Sequence, residues 1–248
     1  MAMREVDSKL YQQEIKISPD ALKLQSNFKL LICGSSGQGK TEWIVSLISS
    51  RKAHMVDDFE EVIYCIPPHC SHLKSVTSTI EKMKEAVNSL VVFEGILVDI
   101  DSIFKPTKEN SHCLIIYDDM YSDLINSRAF CHLATFGSRH HNCSLIITSQ
   151  NLYETGRFAL TLRRQMSYFL IFFPSSEKQQ LITLGRNLFP TNSYCIYRSF
   201  KKLIPHTTNP YQQNILVDVN PRSPLPHGMR LRSNFFSEEP YFFIVEDD

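Results

Sequence analysis

The sequence predicts an α/β protein with a mainly parallel sheet covered by helices on both faces. Short apolar runs rich in β-branched and aromatic residues alternate with amphipathic segments along most of the chain. A glycine-rich loop separates the first core run from the first amphipathic segment. Two later runs, at 113–117 and 144–149, are apolar almost throughout, which is typical of parallel strands buried on both faces.

The expected strands are apolar runs that stop at turn residues, as Glu61–Ile66 stops at Pro67. They are predicted at 30–33, 61–66, 90–93, 113–117, 144–149, 167–173 and, as the last strand, 193–197. The expected helices show apolar residues at helical spacing, as Ile80, Met83 and Val87 do. They are predicted after the glycine-rich loop to about residue 52 and at 72–88, 127–136, 158–164 and 177–188.

The remaining segments divide the chain into three parts. Residues 1–27 read as a polar lead-in with a short edge strand at 11–17 and a turn or helix start from Ser18. Residues 97–104 suit a short helix or strand, and Gly137–Asn142 is expected to end the helix before it. Residues 28–204 form the predicted main domain. The proline-containing segment 205–248 is predicted to be an extended tail that packs on the domain or on a neighbour.

Composition excludes several broad classes. With 43% hydrophobic and 21% charged residues, the chain can bury a sizeable core. Its 26 basic and 26 acidic residues balance, so contact with a polyanion must come from a local patch. Seven scattered cysteines form no disulfide framework and indicate a reducing compartment. Without a long apolar run or a signal-peptide core, the sequence predicts a soluble intracellular protein with no membrane span and no secretion signal.

The glycine-rich loop fits the phosphate-binding pattern G-x-x-x-x-G-K-[ST] through Gly34, Gly39, Lys40 and Thr41. Glycines let backbone N–H groups converge on an anion at a helix N-terminus, where the helix dipole is positive. An ordinary Gly/Ser turn is the alternative, but the strand before the loop and the helix after it favour nucleotide binding. Lys40 would reach the β- and γ-phosphates of ATP, and Thr41 would hold Mg²⁺. The predicted cradle comprises Gly34, Ser35, Ser36, Gly37, Gln38, Gly39, Lys40, Thr41 and Glu42.

Polar residues end two of the buried strands. Asp118 and Asp119 follow the strand at 113–117, where Asp118 would hold Mg²⁺ through water and Asp119 would orient or deprotonate the attacking water. The alternative for the two acids is a helix cap. Gln150 follows the strand at 144–149 and would detect the γ-phosphate if the two strands are neighbours. Its alternative is the start of an ordinary loop.

The spacing of these motifs narrows the class of nucleotide enzyme. The acid-bearing strand lies far along the chain from the loop and is followed by an amide-tipped strand. That is the layout of P-loop ATPases of the ASCE type, with a RecA-like sheet that has an extra strand between the loop strand and the acid strand. The guanine-reading N-K-x-D motif of GTPases is absent from the sequence. A P-loop kinase of a small molecule and a nucleotide-switched capsid or scaffold protein stay as alternatives.

Four segments together resemble the FtsK–HerA superfamily, and most closely the genome-packaging ATPases of large DNA viruses and virus-like mobile elements. They are Gly34–Thr41, Leu114–Asp119, Gly137–Asn142 and Ile146–Asn151. Asp119 departs from the glutamate of many members. The resemblance implies an ATP-driven translocase of double-stranded DNA that packages a viral genome. It also implies a homo-oligomeric ring, a pentamer or hexamer, with capsid portal or vertex proteins as partners, in the host cytoplasm or nucleus.

A ring motor of this kind needs an arginine from a neighbouring subunit at each ATP site. The candidates are Arg139, Arg163 and Arg164, and for the last two the alternative is a solvated helix end. Candidate DNA-phosphate contacts are Lys105, Lys108, Lys201, Lys202, Arg222, Arg230 and Arg232. Zinc sites at Cys65–His72 and His140–Cys143 are rival readings that lack the C-x₂-C spacing.

Overall fold

The computed structural model describes residues 5–6, 18–106, 111–173, 178–206, 211, 213–237 and 240–245. Within these residues ten strands form one sheet, in the spatial order β1-β10-β9-β8-β7-β2-β6-β5-β3-β4. The strands are β1 Glu5–Val6, β2 Lys29–Cys33, β3 Phe59–Ile66, β4 Leu90–Glu94, β5 His112–Tyr117, β6 Cys143–Ser149, β7 Tyr168–Phe172, β8 Asn214–Asp218, β9 Leu231–Ser233 and β10 Tyr241–Phe243.

The six strands from β7 to β4 are parallel, and the other four extend the sheet in antiparallel pairing. β6 lies between β2 and β5, with Cys33 opposite Ser149 and Tyr117 opposite Ile147. The predicted α/β class and the extra strand between the loop strand and the acid strand are therefore confirmed. This order places the carboxyl ends of β2, β5 and β6 side by side at one edge of the sheet.

Helices cover both faces of the sheet. One face carries α1 and α3, and the other carries α4, α5, α7, α8 and α9, as the buried side chains that they contribute to the two core clusters show. The helices are α1 Lys40–Ser49, α2 Arg51–His54, α3 Lys74–Ala86, α4 Tyr121–Leu124, α5 Arg128–His132, α6 Ser138–His140, α7 Ala159–Gln165, α8 Lys178–Leu188 and α9 Cys195–Leu203, with a π-helical turn at Leu133–Gly137.

Alternate residues of each central strand enter different core clusters. In β2, Leu31 and Cys33 pack with one set of helices, whereas Leu30 and Ile32 pack with the other. Every residue of β2 is buried, as expected of a parallel strand between two helical layers. Burial of a leucine or isoleucine side chain stabilises the fold by about 1.5–3 kcal/mol, so these layers hold the loop-bearing strand firmly. No helix among the described residues is long and apolar enough to cross a membrane.

Two predictions about secondary structure are wrong. The segment 193–197 was expected to be the last strand, but α9 begins at Cys195 and buries Ile196, Ser199, Phe200 and Leu203. Its helical period becomes visible only over nine residues, whereas the five-residue window resembles a strand. Gly137 does not end the preceding helix, because it has helical dihedral angles (φ −60°, ψ −39°) and the π-helical turn leads directly into α6.

The segment after residue 205 packs on the domain, but it is more than an extended tail. It contributes β8, β9 and β10 to the same sheet, and β8 pairs antiparallel with β7. The turns between these short strands contain prolines, which concealed them in the sequence. Near the amino terminus, Ser18 caps a 3₁₀ turn at Pro19–Leu22, whereas the strand predicted at 11–17 lies outside the described residues.

Candidate active site

The phosphate-binding loop connects β2 to α1 at the carboxyl edge of the sheet. Gly37 (φ +78°) and Gly39 (φ +92°) adopt left-handed backbone conformations that favour glycine. The Gln38 side chain fastens the loop, because its Oε1 accepts from the Ser35 amide at 2.7 Å and its Nε2 donates to the Phe173 carbonyl at 2.7 Å. The predicted cradle is therefore a shaped loop that follows β2 and is hydrogen-bonded to the residue just after β7.

Lys40 is the first residue of α1, and its side chain folds back across the loop. Its Nζ donates to the carbonyl oxygens of Gly34 at 2.6 Å and Ser35 at 3.1 Å. Burial lowers the pKa of Lys40, and the charges of Asp119 and Asp118 oppose that shift. The lysine therefore lies between the loop and the two acids, where a phosphate chain would compete for its donors.

Asp118 is held at the end of β5 by three hydroxyl groups. Tyr64 Oη donates to Asp118 Oδ2 at 2.7 Å, and Thr41 Oγ1 lies 3.2 Å from the same oxygen. Thr148 Oγ1 donates to the other carboxylate oxygen at 2.8 Å. Burial, followed by the Asp118 charge, raises the pKa of Tyr64, so its hydroxyl stays protonated and continues to donate. Asp118 is therefore oriented towards Thr41, as predicted for a shared metal site.

Asp119 has a left-handed backbone conformation (φ +56°) immediately after the strand. Its amide donates to Thr148 Oγ1 at 2.7 Å, and Gln150 Nε2 donates to its Oδ1 at 3.2 Å. The side chains of Asp119 and Gln150 are thus adjacent, although they follow different strands. β5 and β6 pair in parallel, so the two strands are neighbours and the condition for a role of Gln150 at the γ-phosphate is met.

These groups line one cavity of about 790 Å³. The part formed by predicted residues comprises Ser36, Gly37, Gly39, Lys40, Thr41, Glu42, Asp118, Asp119 and Gln150. The opposite wall comes from the loop after β3 and from α3, where Lys82 Nζ lies 2.9 Å from Glu42 Oε2. A single cavity therefore joins the phosphate-binding loop to both acids.

The oxygen groups at the base of this cavity suit Mg²⁺. A threonine hydroxyl and a carboxylate, 3.2 Å apart and both facing the cavity, are hard ligands of the kind that Mg²⁺ prefers. Thr41 and Asp118 would hold the ion. When bound, Mg²⁺ would neutralise charge on the phosphate oxygens of the substrate.

The three candidate arginines lie away from this cavity. None of them is among the described residues that line it. Arg139 is on α6, near the opposite edge of the sheet. Burial, followed by the charge of Arg139, lowers the pKa of Lys29 at the amino end of β2. Arg163 lies 4.8 Å from the Tyr153 ring centroid and donates to the Glu154 carbonyl at 3.4 Å. Arg164 is exposed near the end of α7.

Tyr64 and Thr148 are site residues that sequence reasoning missed. Tyr64 is inside β3 and resembles a core aromatic, while Thr148 is a small polar residue near the end of a buried strand. Only the position of Thr148, near the end of a strand that Gln150 follows, offered a signal. Among the proposed DNA contacts, Arg232 is wrong because it is 2% exposed, and Lys108 lies outside the described residues.

Comparison with known proteins yields one family and several distant relatives. The family described as Poxvirus A32 protein matches residues 15–198, well over half of the chain. The "DNA packaging protein OPG160" of Monkeypox virus is 26% identical over 148 residues, which cover 56% of this chain and 46% of that protein. The chain therefore spans about half the length of this curated relative.

Among solved structures, the genome packaging NTPase B204 from Sulfolobus turreted icosahedral virus 2, in complex with ATP-gammaS, is similar with a TM-score of 0.48. It is 16% identical, and the match covers 82% of this chain and 94% of that one. The cytoplasmic domain of the Thermomonospora curvata Type VII Secretion ATPase EccC is 13% identical with a TM-score of 0.44. That match covers 90% of this chain and 24% of the other.

Proposed function

Because the chain belongs to the Poxvirus A32 protein family, we propose that it is an ATPase that moves viral double-stranded DNA into a capsid. The observation that carries the proposal is the single cavity that joins Lys40 and the loop amides to Asp118 and Asp119. A relative with partial coverage is named a DNA packaging protein, which supports DNA as the substrate of the motor. The protein would act in infected cells, where viral genomes are packaged.

Each residue of the site has a role in this proposal. The loop amides and Lys40 hold the phosphates of ATP, and Thr41 and Asp118 hold Mg²⁺. Asp119 accepts a proton from the attacking water, and the Gln150 amide, 3.2 Å from its Oδ1, orients that carboxylate and responds to the γ-phosphate. Tyr64 and Thr148 keep Asp118 in place through the hydrogen bonds described above, so they are positioning residues.

DNA should raise the turnover of ATP if the site drives translocation. We expect the ATPase rate of the purified protein with Mg²⁺ to increase several-fold when long double-stranded DNA is added, because a motor couples hydrolysis to contact with its track. The measurement is phosphate release with and without DNA, compared at increasing salt, since phosphate-backbone contacts weaken as salt rises. Turnover that depends instead on a small acceptor molecule would indicate a kinase, and nucleotide binding without turnover would indicate a switch.

The arginine required for the transferring phosphate would come from a neighbouring subunit of a homo-oligomeric ring. Arg139 and Arg164 suit this role better than Arg163, which already contacts Tyr153 and Glu154 of its own subunit. Both are exposed at the surface of helices that follow the acid strand. A pentamer or hexamer would present such a residue to each neighbouring cavity.

Mixing inactive variants tests whether a neighbouring subunit supplies the arginine. We expect Arg139→Ala or Arg164→Ala to lose most activity alone and to regain part of it when mixed with Lys40→Ala. In such a mixture a Lys40→Ala subunit still supplies its arginine to an intact cavity. Arg186→Ala, which removes an exposed arginine of α8, is the control and should stay active. If neither arginine variant recovers activity in any mixture, the shared-site arrangement is wrong.

A further inference from the structure

Tyr211 lines the cavity but is not among the residues proposed to bind phosphate, Mg²⁺ or the attacking water. Its side chain is 56% exposed and lines the same cavity as Lys40 and Asp118. The ring lies against the phosphate-binding loop, since a Cβ added to Gly39 would be 2.5 Å from Tyr211 Cδ1. Among the described residues that line the cavity, the other aromatic side chain is Tyr64, which is buried and hydrogen-bonded to Asp118. Tyr211 is therefore the accessible aromatic surface of the site.

The backbone of Tyr211 is tied to the sheet. Asn214 Nδ2 donates to the Tyr211 carbonyl at 3.0 Å, and Asn214 is the first residue of β8. Asn214 pairs with Phe172 at the carboxyl end of β7, the strand beside the loop strand. The ring therefore stands at the edge of the sheet where the phosphate-binding loop lies.

The order of strands gives the direction in which a bound nucleotide extends. Asp118, Asp119 and Gln150 follow β5 and β6, which lie on one side of β2. They mark the end of the triphosphate at which hydrolysis occurs. The nucleoside, at the other end of the phosphate chain, points away from those acids. Tyr211 lies on that other side of β2, next to β7 and β8.

We propose that Tyr211 stacks on the base of the bound nucleoside triphosphate and sets the preference of the site for purines. This inference rests on the proposed function, because it assumes that the cavity binds ATP. Every base presents a π-face, and the larger face of a purine overlaps more of a tyrosine ring. The residue is thus a determinant of specificity, while the loop and Lys40 hold the phosphates.

The test compares ligands with and without a base. We expect Tyr211→Ala to weaken ATP binding by about tenfold and to leave the binding of inorganic tripolyphosphate unchanged, because stacking acts on the base alone. Tyr211→Phe keeps the ring and should bind ATP like the unaltered protein. Tyr241→Ala removes a similarly exposed tyrosine from the distant strand β10 and is the matched control, with unchanged affinity for both ligands.

The outcomes separate the two proposals. If the unaltered protein binds neither ATP nor tripolyphosphate, the proposed function fails. If it binds both and Tyr211→Ala weakens the two ligands equally, the ring supports the phosphate loop and the stacking proposal is overturned. Unchanged ATP affinity in Tyr211→Ala overturns it as well. A parallel titration with CTP adds a second readout, since the alanine variant should lose most of the ATP-over-CTP preference.

Discussion

Replacing Lys40 with alanine is expected to abolish ATP hydrolysis, with a loss of at least about 1,000-fold, because the ammonium group stabilises charge on the transferring phosphate. In the structure Lys40 Nζ lies between the loop carbonyls and the two acids. Among the described residues that line the cavity, the other cation is Lys82, which pairs with Glu42. The measurement is the single-turnover rate of phosphate release with saturating ATP and Mg²⁺.

Lys52→Ala is the matched control for this experiment. Lys52 is an exposed lysine of α2, outside the cavity, so its removal changes the net charge equally and should leave turnover unchanged. Near-normal hydrolysis by Lys40→Ala would contradict the assignment of this loop as the phosphate-binding site. Such a result would also contradict the motor proposal, since that proposal depends on this loop as the phosphate site.

The second large effect is expected at Asp119. Asp119→Asn should lower the rate of hydrolysis by about 100- to 10,000-fold, the usual contribution of a general base, while ATP binding stays close to normal. Asparagine keeps the shape of the side chain and tolerates the left-handed backbone at φ +56°. The amide hydrogen bond to Thr148 is also retained, so the variant should fold like the unaltered protein.

Two measurements on the Asp119→Asn variant distinguish chemistry from binding. Nucleotide affinity comes from equilibrium titration, and the rate of hydrolysis comes from single-turnover phosphate release. Asp123→Asn, which changes an exposed carboxylate of α4 four residues away, is the control and should hydrolyse ATP normally. Unchanged turnover in Asp119→Asn would show that another group acts as the base. A loss of ATP affinity as large as the loss of rate would show that Asp119 acts in binding.

The aspartate at 119 has a structural explanation that the sequence did not supply. Many proteins that the motifs resemble have glutamate at this position, and its carboxylate is one bond further from the backbone than that of aspartate. Here the residue has positive φ, a conformation in which aspartate and asparagine are several-fold enriched over most other residues. Gln150 then meets its carboxylate directly. The backbone conformation therefore offers a reason for the shorter side chain.

Local sequence determined the loop, the acid pair and the class of sheet. The loop needs glycines at particular φ values and a lysine at the start of a helix, and these requirements involve a few consecutive residues. Strands buried on both faces likewise appear as short apolar runs. The resemblance to viral genome-packaging ATPases, drawn from four such segments, is confirmed by the family match.

Tertiary structure alone decided which distant residues complete the site. Tyr64 meets Asp118 across 54 residues of chain, and Thr148 meets it across 30. Tyr211 reaches Gly39 because β8, which lies within the proline-containing segment that resembled a tail in the sequence, pairs with β7. Such contacts depend on the order in which strands pair, and that order follows from burying both faces of the whole sheet. No short window of sequence contains that information.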